Sequence, residues 1–403
     1  MLIPLHPTTP MTYPGAVSLV GRKLGPYKII GELGSGGMAV VYKAEQPALN
    51  RMVAIKELRK ELSGDDSIAQ RFEREARSIA SLAHQNIVHV YDFLERASSS
   101  FIVMEYVDGI DLADLLRRVE RLPGDIAAIV ALQTIRALEY AHFHGVIHRD
   151  LKPANLMITK QGDIKLMDFG IARDESEEDL TLPGQALGTP AYMSPEQVMG
   201  DRVTFHSDIF SFGILLYQML TGKKPFIDDE NVGVMNKIVN APYKRPRALC
   251  PDIPSKLQRI TRRCLQKEPE DRYKSTEDLR LDLEAFVATR VRINHNGRLV
   301  IFLRHRGLIT DGEAATYVRQ EQLHSPSTAR IDQGHLSPWN VVLRPSLLLN
   351  LSMIAVLALW IYFVQWFPLG NAIEPTHPSL TNTGSLENGP SKTAGNSNRS
   401  QGK

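Results

Sequence analysis

Cysteine is nearly absent: the chain has two, Cys250 and Cys264. Neither has the paired spacing of a zinc site nor a histidine close by. A disulfide framework and a thiolate-bound metal are therefore excluded, and packed, reduced thiols are expected. An excess of one charge is missing too. Lys and Arg number 47 against 45 Asp and Glu, a net charge of +2, which removes the electrostatic motive for nucleic acid as a partner. The opening MLIPLHPTTPMTYPGAVSLV has no continuous apolar run behind a basic head. Proline interrupts it repeatedly, so residues 1–26 read as a flexible N-terminal arm rather than a secretory signal. No internal repeat occurs.

Charge also vanishes locally. No Asp, Glu, Lys or Arg lies between Arg344 and Glu374. Within that window LLLNLSMIAVLALWIYFVQWF, residues 347–367, has the length of a helix that spans a lipid bilayer. Trp360, Tyr362 and Trp366 crowd its C-terminal end, where amphipathic rings favour an interface. Arg330 and Arg344 lie shortly upstream and no Lys or Arg lies equally close downstream. The positive-inside tendency then places the upstream part in the cytoplasm and the tail outside it. That tail, 368–403, is Asn, Ser, Thr, Gly and Pro with too little apolar surface to fold alone. The expectation is a single-pass protein of the cell membrane.

What remains, residues 27–287, has the composition of a globular body: 43% hydrophobic and 23% charged residues over the whole chain. Short β-rich runs come first: YKIIGEL, AVVYKAE, RMVAIKEL, NIVHVYDFL and SFIVMEYV. One helix interrupts them, where Ile68, Phe72, Ala76, Ile79 and Ala80 recur at helical spacing. After about Gly109 the periodicity is helical. The fold class expected is α+β, a small β-rich lobe with one helix followed by a larger helical lobe, with a ligand cleft between them. Residues 288–346 read as a juxtamembrane linker, in which Thr310 and Glu313 have the spacing of a helix-capping box.

Three stretches carry chemistry. LGSGGMAVVYKA places Gly34, Ser35, Gly36 and Gly37 between two strands; without Cβ atoms such a loop lets backbone N–H groups approach phosphate oxygens, although a plain hairpin looks similar. VAIK puts Lys56 on a strand, by default a surface charge, but next to a Gly-rich hairpin a partner for phosphate. HRDLKPAN packs an imidazole, a guanidinium, a carboxylate, an ammonium and an amide into eight residues pinned between apolar runs. A solvated loop is the bland reading. A loop that handles phosphate and metal is the sharper one.

These stretches, with DFG at Asp168 to Gly170 and SPE at Ser194 to Glu196, stand in the order seen in protein kinases. Over residues 27–286 the chain resembles a eukaryotic-type serine/threonine protein kinase of the bacterial membrane form. The resemblance implies ATP and Mg²⁺ as cofactors, with Mn²⁺ as a substitute. It implies that Leu33, Val41 and Ala54 roof the adenine, that Met157 is its floor and Met104 the gatekeeper, and that Glu105 to Val107 form the hinge. Lys56 would hold the α- and β-phosphates and pair with Glu75, in preference to Glu73. Asp168 and Asn155 would bind the metal ions, Asp150 would orient the acceptor hydroxyl and take its proton, and Lys152 would steady the γ-phosphate. Asp208 would brace the catalytic loop, and Glu196 and Arg272 would form a buried ion pair.

DLKPAN, and with it Thr189 in GTPAYMSPE, resembles the serine/threonine rather than the tyrosine members of that family, which implies protein substrates with Ser or Thr acceptors. Arg149 before Asp150 implies regulation by a phosphate on the activation segment, expected on Thr181 in preference to Ser176. A kinase-domain homodimer is a further implied partner. The chain departs from the pattern at Ala39, where a third glycine is usual. The alternative is a kinase-shaped scaffold that binds nucleotide without transferring phosphate; the presence of every catalytic residue argues against it.

Overall fold

The computed structural model describes residues 19–59, 66–96, 99–170, 190–228, 233–291 and 294–318. The N-terminal part is a six-stranded antiparallel sheet: β1 (Lys23–Leu24), β2 (Tyr27–Ser35), β3 (Ala39–Gln46), β4 (Arg51–Leu58), β5 (Val90–Arg96) and β6 (Ser99–Glu105), in the order β1-β2-β3-β4-β6-β5. The β-branched and aromatic residues of these runs favour a pleated, half-buried surface. Tyr27, Ile29, Tyr42, Val53, Ile55, Phe101 and Val103 pack into one core cluster. Leu58 and Ile102 instead join Phe72, Ala76 and Ile79 of helix α1 (Asp66–Ala80). Alternation along each strand thus gives the sheet two apolar faces, one of which α1 covers.

The second part is helical. Short β7 (Gly109–Asp111) leads into α2 (Leu112–Val119) and the 20-residue α3 (Gly124–Phe143). Helix α3 is buried on nearly every side from Ile126 to Leu138, as a helix apolar all round must be. Strands β8 (Leu156–Thr159) and β9 (Ile164–Leu166) complete a small sheet, β7-β8-β9. Helices α4 (Pro195–Met199), α5 (Phe205–Thr221), α6 (Val234–Asn240), α7 (Pro246–Leu249), α8 (Ser255–Cys264) and α9 (Thr276–Arg290) follow. Helix α5 is delimited by its own sequence: Thr204 and Ser207 form a capping box, and Gly222, at φ 74°, ends it in the left-handed region. Cys264 is buried and free, and Cys250 is half-buried and free.

The two parts are stitched together where the site will lie. Leu166 N donates to Asn86 O (2.8 Å), Val88 N donates to Leu166 O (2.9 Å), and Asn86 Nδ2 donates to Ile164 O (2.8 Å). These bonds fix β9, and the residues that follow it, against the sheet-bearing lobe.

Both ends of the body differ from the expected boundaries. The sheet starts inside the expected arm: β1 pairs with β2 across a two-residue turn, Gly25-Pro26, in which Gly25 takes φ 58°. A two-residue strand carries no periodicity to read. At the other end, residues 295–318 are not a linker. Helix α10 (His295–His305) buries Leu299 to Leu303, and the buried Arg298 donates to Asp125 Oδ2 at 2.8 Å. Helix α11 (Asp311–Tyr317) begins with the Thr310–Glu313 capping box. The run LVIFL between charged ends shows no 3.6-residue period because its whole length is buried.

Among the described residues no helix is long and apolar enough to cross a membrane. The expected span, 347–367, lies outside them.

Candidate active site

Lys56 sits in the middle of β4, its backbone in register with Val41 of β3 and Ile102 of β6. Its Nζ lies 2.9 Å from Glu75 Oε1 on α1 and 2.9 Å from Asp168 Oδ1 after β9. Glu73 faces elsewhere and pairs with Arg77 at 2.5 Å. Burial works against the Lys56 ammonium, but the Asp168 and Glu75 carboxylates outweigh it and hold its pKa above the ordinary lysine value. Burial likewise opposes ionisation of Asp168, yet the Lys56 ammonium keeps its carboxyl below the usual carboxylate range. Asp168 is thus an anion 37% exposed to the cleft, tethered by one oxygen.

Residues of the HRDLKPAN loop converge on the same spot. Asp150 Oδ2 accepts from Lys152 Nζ at 2.6 Å and from Asn155 Nδ2 at 3.2 Å. Asn155 Nδ2 also reaches the carbonyls of Asp150 (2.8 Å) and Asp168 (3.4 Å). The loop itself hangs on Asp208 of α5. Its carboxylate accepts the backbone N–H of His148 (2.7 Å) and of Arg149 (2.9 Å), and lies 2.7 Å from His142 Nε2. Burial would raise the Asp208 pKa, but these partners, His142 foremost, bring it below the ordinary value.

Two non-glycine residues here take left-handed backbone conformations, Arg149 (φ 66°) and Asp168 (φ 53°). Such strain persists only where surroundings over-determine it, and here it aims Asp150 and Asp168 at one another's neighbourhood. Gly170 follows for a steric reason. A Cβ there would stand 2.9 Å from Asp150 Cβ and 3.3 Å from His148 O, while its N–H donates to His148 O at 2.8 Å.

The Gly-rich turn joins β2 to β3, closed by Gly36 N donating to Ala39 O at 2.8 Å. Added Cβ atoms at Gly34 and Gly37 would meet nothing within 4 Å, so packing does not demand glycine there. The backbone of the turn is left open on that side. Arg59, which sequence reasoning missed, ties this turn down through Gly36 O and Ser35 Oγ, both at 2.7 Å.

Four of the residues expected around adenine fall on neighbouring strands of the large sheet, exposed Leu33 on β2, Val41 on β3, buried Ala54 on β4 and Met104 on β6, and the fifth, Met157, falls on β8 of the small sheet. Glu105 ends β6 and Val107 follows it; Lys165, also unforeseen, grips Glu105 at 2.7 Å. Arg149 O accepts from Gln197 Nε2 at 2.8 Å. Thr181, Thr189 and Ser176 lie outside the described residues.

Further from the cleft, Arg272 and Glu196 form a buried bidentate pair at 2.7 and 2.9 Å. Arg272 also donates to the carbonyls of His206, Gln266 and Lys267, and Ser207 Oγ to Glu196.

Two ammoniums (Lys56, Lys152), three carboxylates (Glu75, Asp150, Asp168) and the Asn155 amide are thus linked in one run of contacts, a charge set of the kind that can neutralise and position polyphosphate. A family model for the protein kinase domain matches residues 27–282. The chain belongs to the protein kinase family. Members of that family use ATP and a divalent metal ion.

Among relatives of this kinase-family chain, a probable serine/threonine-protein kinase of Streptomyces coelicolor is 42% identical over 66% of this chain and 40% of its own length. The serine/threonine-protein kinase PrkC of Bacillus subtilis is 38% identical over 68% of this chain and 42% of its own. The chain therefore spans about two fifths of the length of these curated relatives. A crystal structure of the Mycobacterium tuberculosis PknI kinase domain superposes with a TM-score of 0.55 at 29% identity, covering 68% of this chain and all of that one.

Proposed function

We propose that the chain is a membrane-anchored serine/threonine protein kinase that moves the γ-phosphoryl group of ATP onto Ser or Thr hydroxyls of proteins. One observation carries the reading. Lys56, brought from β4, bridges Glu75 and Asp168, and Asn155 links Asp168 to Asp150.

Phosphoryl transfer leaves little covalent work for the protein, so positioning and charge neutralisation dominate. Lys56 holds the non-transferred phosphates. Asp150 orients the acceptor hydroxyl, whose oxygen bonds to the γ-phosphorus as the bond to the β–γ bridging oxygen breaks; the hydroxyl proton passes to the Asp150 carboxylate and ADP leaves. Lys152, already beside Asp150, offsets charge on the moving phosphoryl group. The ionised Asp168 carboxylate and the Asn155 side-chain oxygen are hard oxygen donors, which suits Mg²⁺, or Mn²⁺ in its place. That ion, when bound, screens the phosphate charge.

The serine/threonine choice is supported by DLKPAN and by the names of the relatives. Arg149, next to Asp150, supports control by a phosphate on Thr181. Membrane attachment is supported by the uncharged segment 347–367, with the kinase on the cytoplasmic side where ATP is. Initial-rate phosphate transfer by the full chain, with peptide mapping after incubation with ATP, tests the activity and the Thr181 assignment. Protease added to intact cells tests the topology: trimming of residues 368–403 with the kinase spared supports it, and the reverse pattern contradicts it.

A further inference from the structure

Beside the catalytic loop, between the end of α2 and the end of α5, lies a cavity of about 650 Å³ whose lining includes Arg117, Arg121, Lys152, Lys223 and Lys224. Among the described residues Glu120 is the one carboxylate in that lining. Three of the five cations already have a counter-ion: Arg117 pairs with Asp114, Arg121 with Asp252 at 3.0 Å, and Lys152 with Asp150 at 2.6 Å. Lys223 and Lys224 have no carboxylate partner among the described residues.

Lys224 has the ring of Tyr192 for company, 5.0 Å from its Nζ to the centroid. Burial without a counter-ion holds its ammonium below the ordinary lysine pKa. An ammonium in that position gains from an arriving carboxylate. The cavity also shares Lys152, Pro153 and Ala154 with the loop that carries Asp150, so a chain lying in it passes the phosphate-transfer point.

We propose that this groove binds acidic residues flanking the Ser or Thr acceptor of a protein substrate, with Lys223 and Lys224 as specificity-determining residues. The inference rests on the kinase reading above and names its substrate class, an acidic peptide. The chain's own sequence supplies one. DESEEDLT, residues 174–181, places Asp174, Glu175, Glu177, Glu178 and Asp179 around Ser176 and ahead of Thr181. An extended peptide advances about 3.3–3.6 Å per residue, so these carboxylates reach well past an acceptor held at Asp150. A second copy of the chain then serves as both partner and substrate.

The test uses the full chain and three synthetic peptides of residues 172–185: the natural one, one with its acidic residues changed to Asn and Gln, and one with them changed to Lys. The groove predicts that kcat/KM is highest for the acidic peptide, about fivefold above the neutral one for two solvent-screened ion pairs, and that this margin shrinks as salt is added. In Lys223→Glu/Lys224→Glu the ranking reverses and the lysine peptide becomes the best. Lys223→Glu alone, at an exposed position, moves the ranking in the same direction. Equal kcat/KM for the acidic and neutral peptides, or an acid preference that survives the double charge reversal, overturns the groove assignment alone. Absence of transfer to all three peptides and to the chain itself overturns the kinase reading on which it stands.

Discussion

Lys56 and Asp168 are 112 positions apart in the sequence and 2.9 Å apart in the fold. One is held by the register of β4 and the other by the hydrogen bonds that tie β9 to Asn86, so two lobes meet in a single ion pair. Lys56→Met removes the cation from two carboxylates at once. It is expected to lower kcat for phosphate transfer at least about 100-fold with the fold retained. Initial rates at saturating ATP check this; a rate within threefold of the unaltered chain contradicts it.

Arg272 and Glu196 carry structure rather than chemistry. Arg272→Met leaves a buried carboxylate with only the Ser207 hydroxyl and a backbone N–H as donors, and Glu196 is held below its ordinary pKa chiefly because Arg272 outweighs the cost of its burial. Removing one partner of a buried pair costs about 3–5 kcal/mol. Denaturant unfolding should show that loss, and a cost under about 1 kcal/mol would count against the pair as a core element.

The junction of α10 with the β8–β9 turn is equally specific. Gly162 has φ +84°, and a Cβ on it would come 2.3 Å from the backbone oxygen of Asn296. Other contacts bind the same junction: Asn296 Nδ2 to Asp163 Oδ1 at 2.6 Å, and Lys160 to Glu313 of α11 at 2.9 Å. Gly162→Ala is expected to destabilise by about 1–3 kcal/mol and to open residues 291–318 to limited proteolysis. Unchanged cleavage kinetics would show that α10 and α11 do not depend on this seat.

Acid should weaken the fold through its histidines. Burial, the largest cause at each, lowers the pKa of His84, His148, His206 and His295 from the ordinary 6.5. Near and below that value the unfolded chain binds protons that the folded chain does not, so stability falls as pH falls. Tm measured from pH 7.5 down to 6 should drop steadily. A flat or rising Tm over that interval would mean that these side chains are protonated in the fold.

The gathering of Lys56, Asp150, Asn155 and Asp168 was legible because the motifs that carry them are local, each within a stretch of three to eight residues. The sheet and the long helices were legible from their periodicity. Three features were not. Strand β1 is two residues long, and its only mark is Gly25. Helix α10 is buried along its whole apolar run, so its period is hidden, and charged ends disguise LVIFL as a surface segment. Arg59 and Lys165 act through partners 23 and 60 positions away in the sequence, and a lone basic residue on a strand edge looks like any solvated charge.

The central claim is that folding gathers Asp150, Lys152, Asn155, Asp168 and Lys56 into a phosphate-transferring centre, and Asp150→Asn tests it most directly. The side chain stays nearly isosteric and can still accept from Lys152, but it no longer takes the acceptor proton. Radiolabelled phosphate transfer from ATP to Ser and Thr by the full chain should be readily measured, and the variant should fall at least about 100-fold with its unfolding midpoint little changed. Equal transfer by the two proteins, or none by the unaltered one with ATP and Mg²⁺ present, would contradict the account.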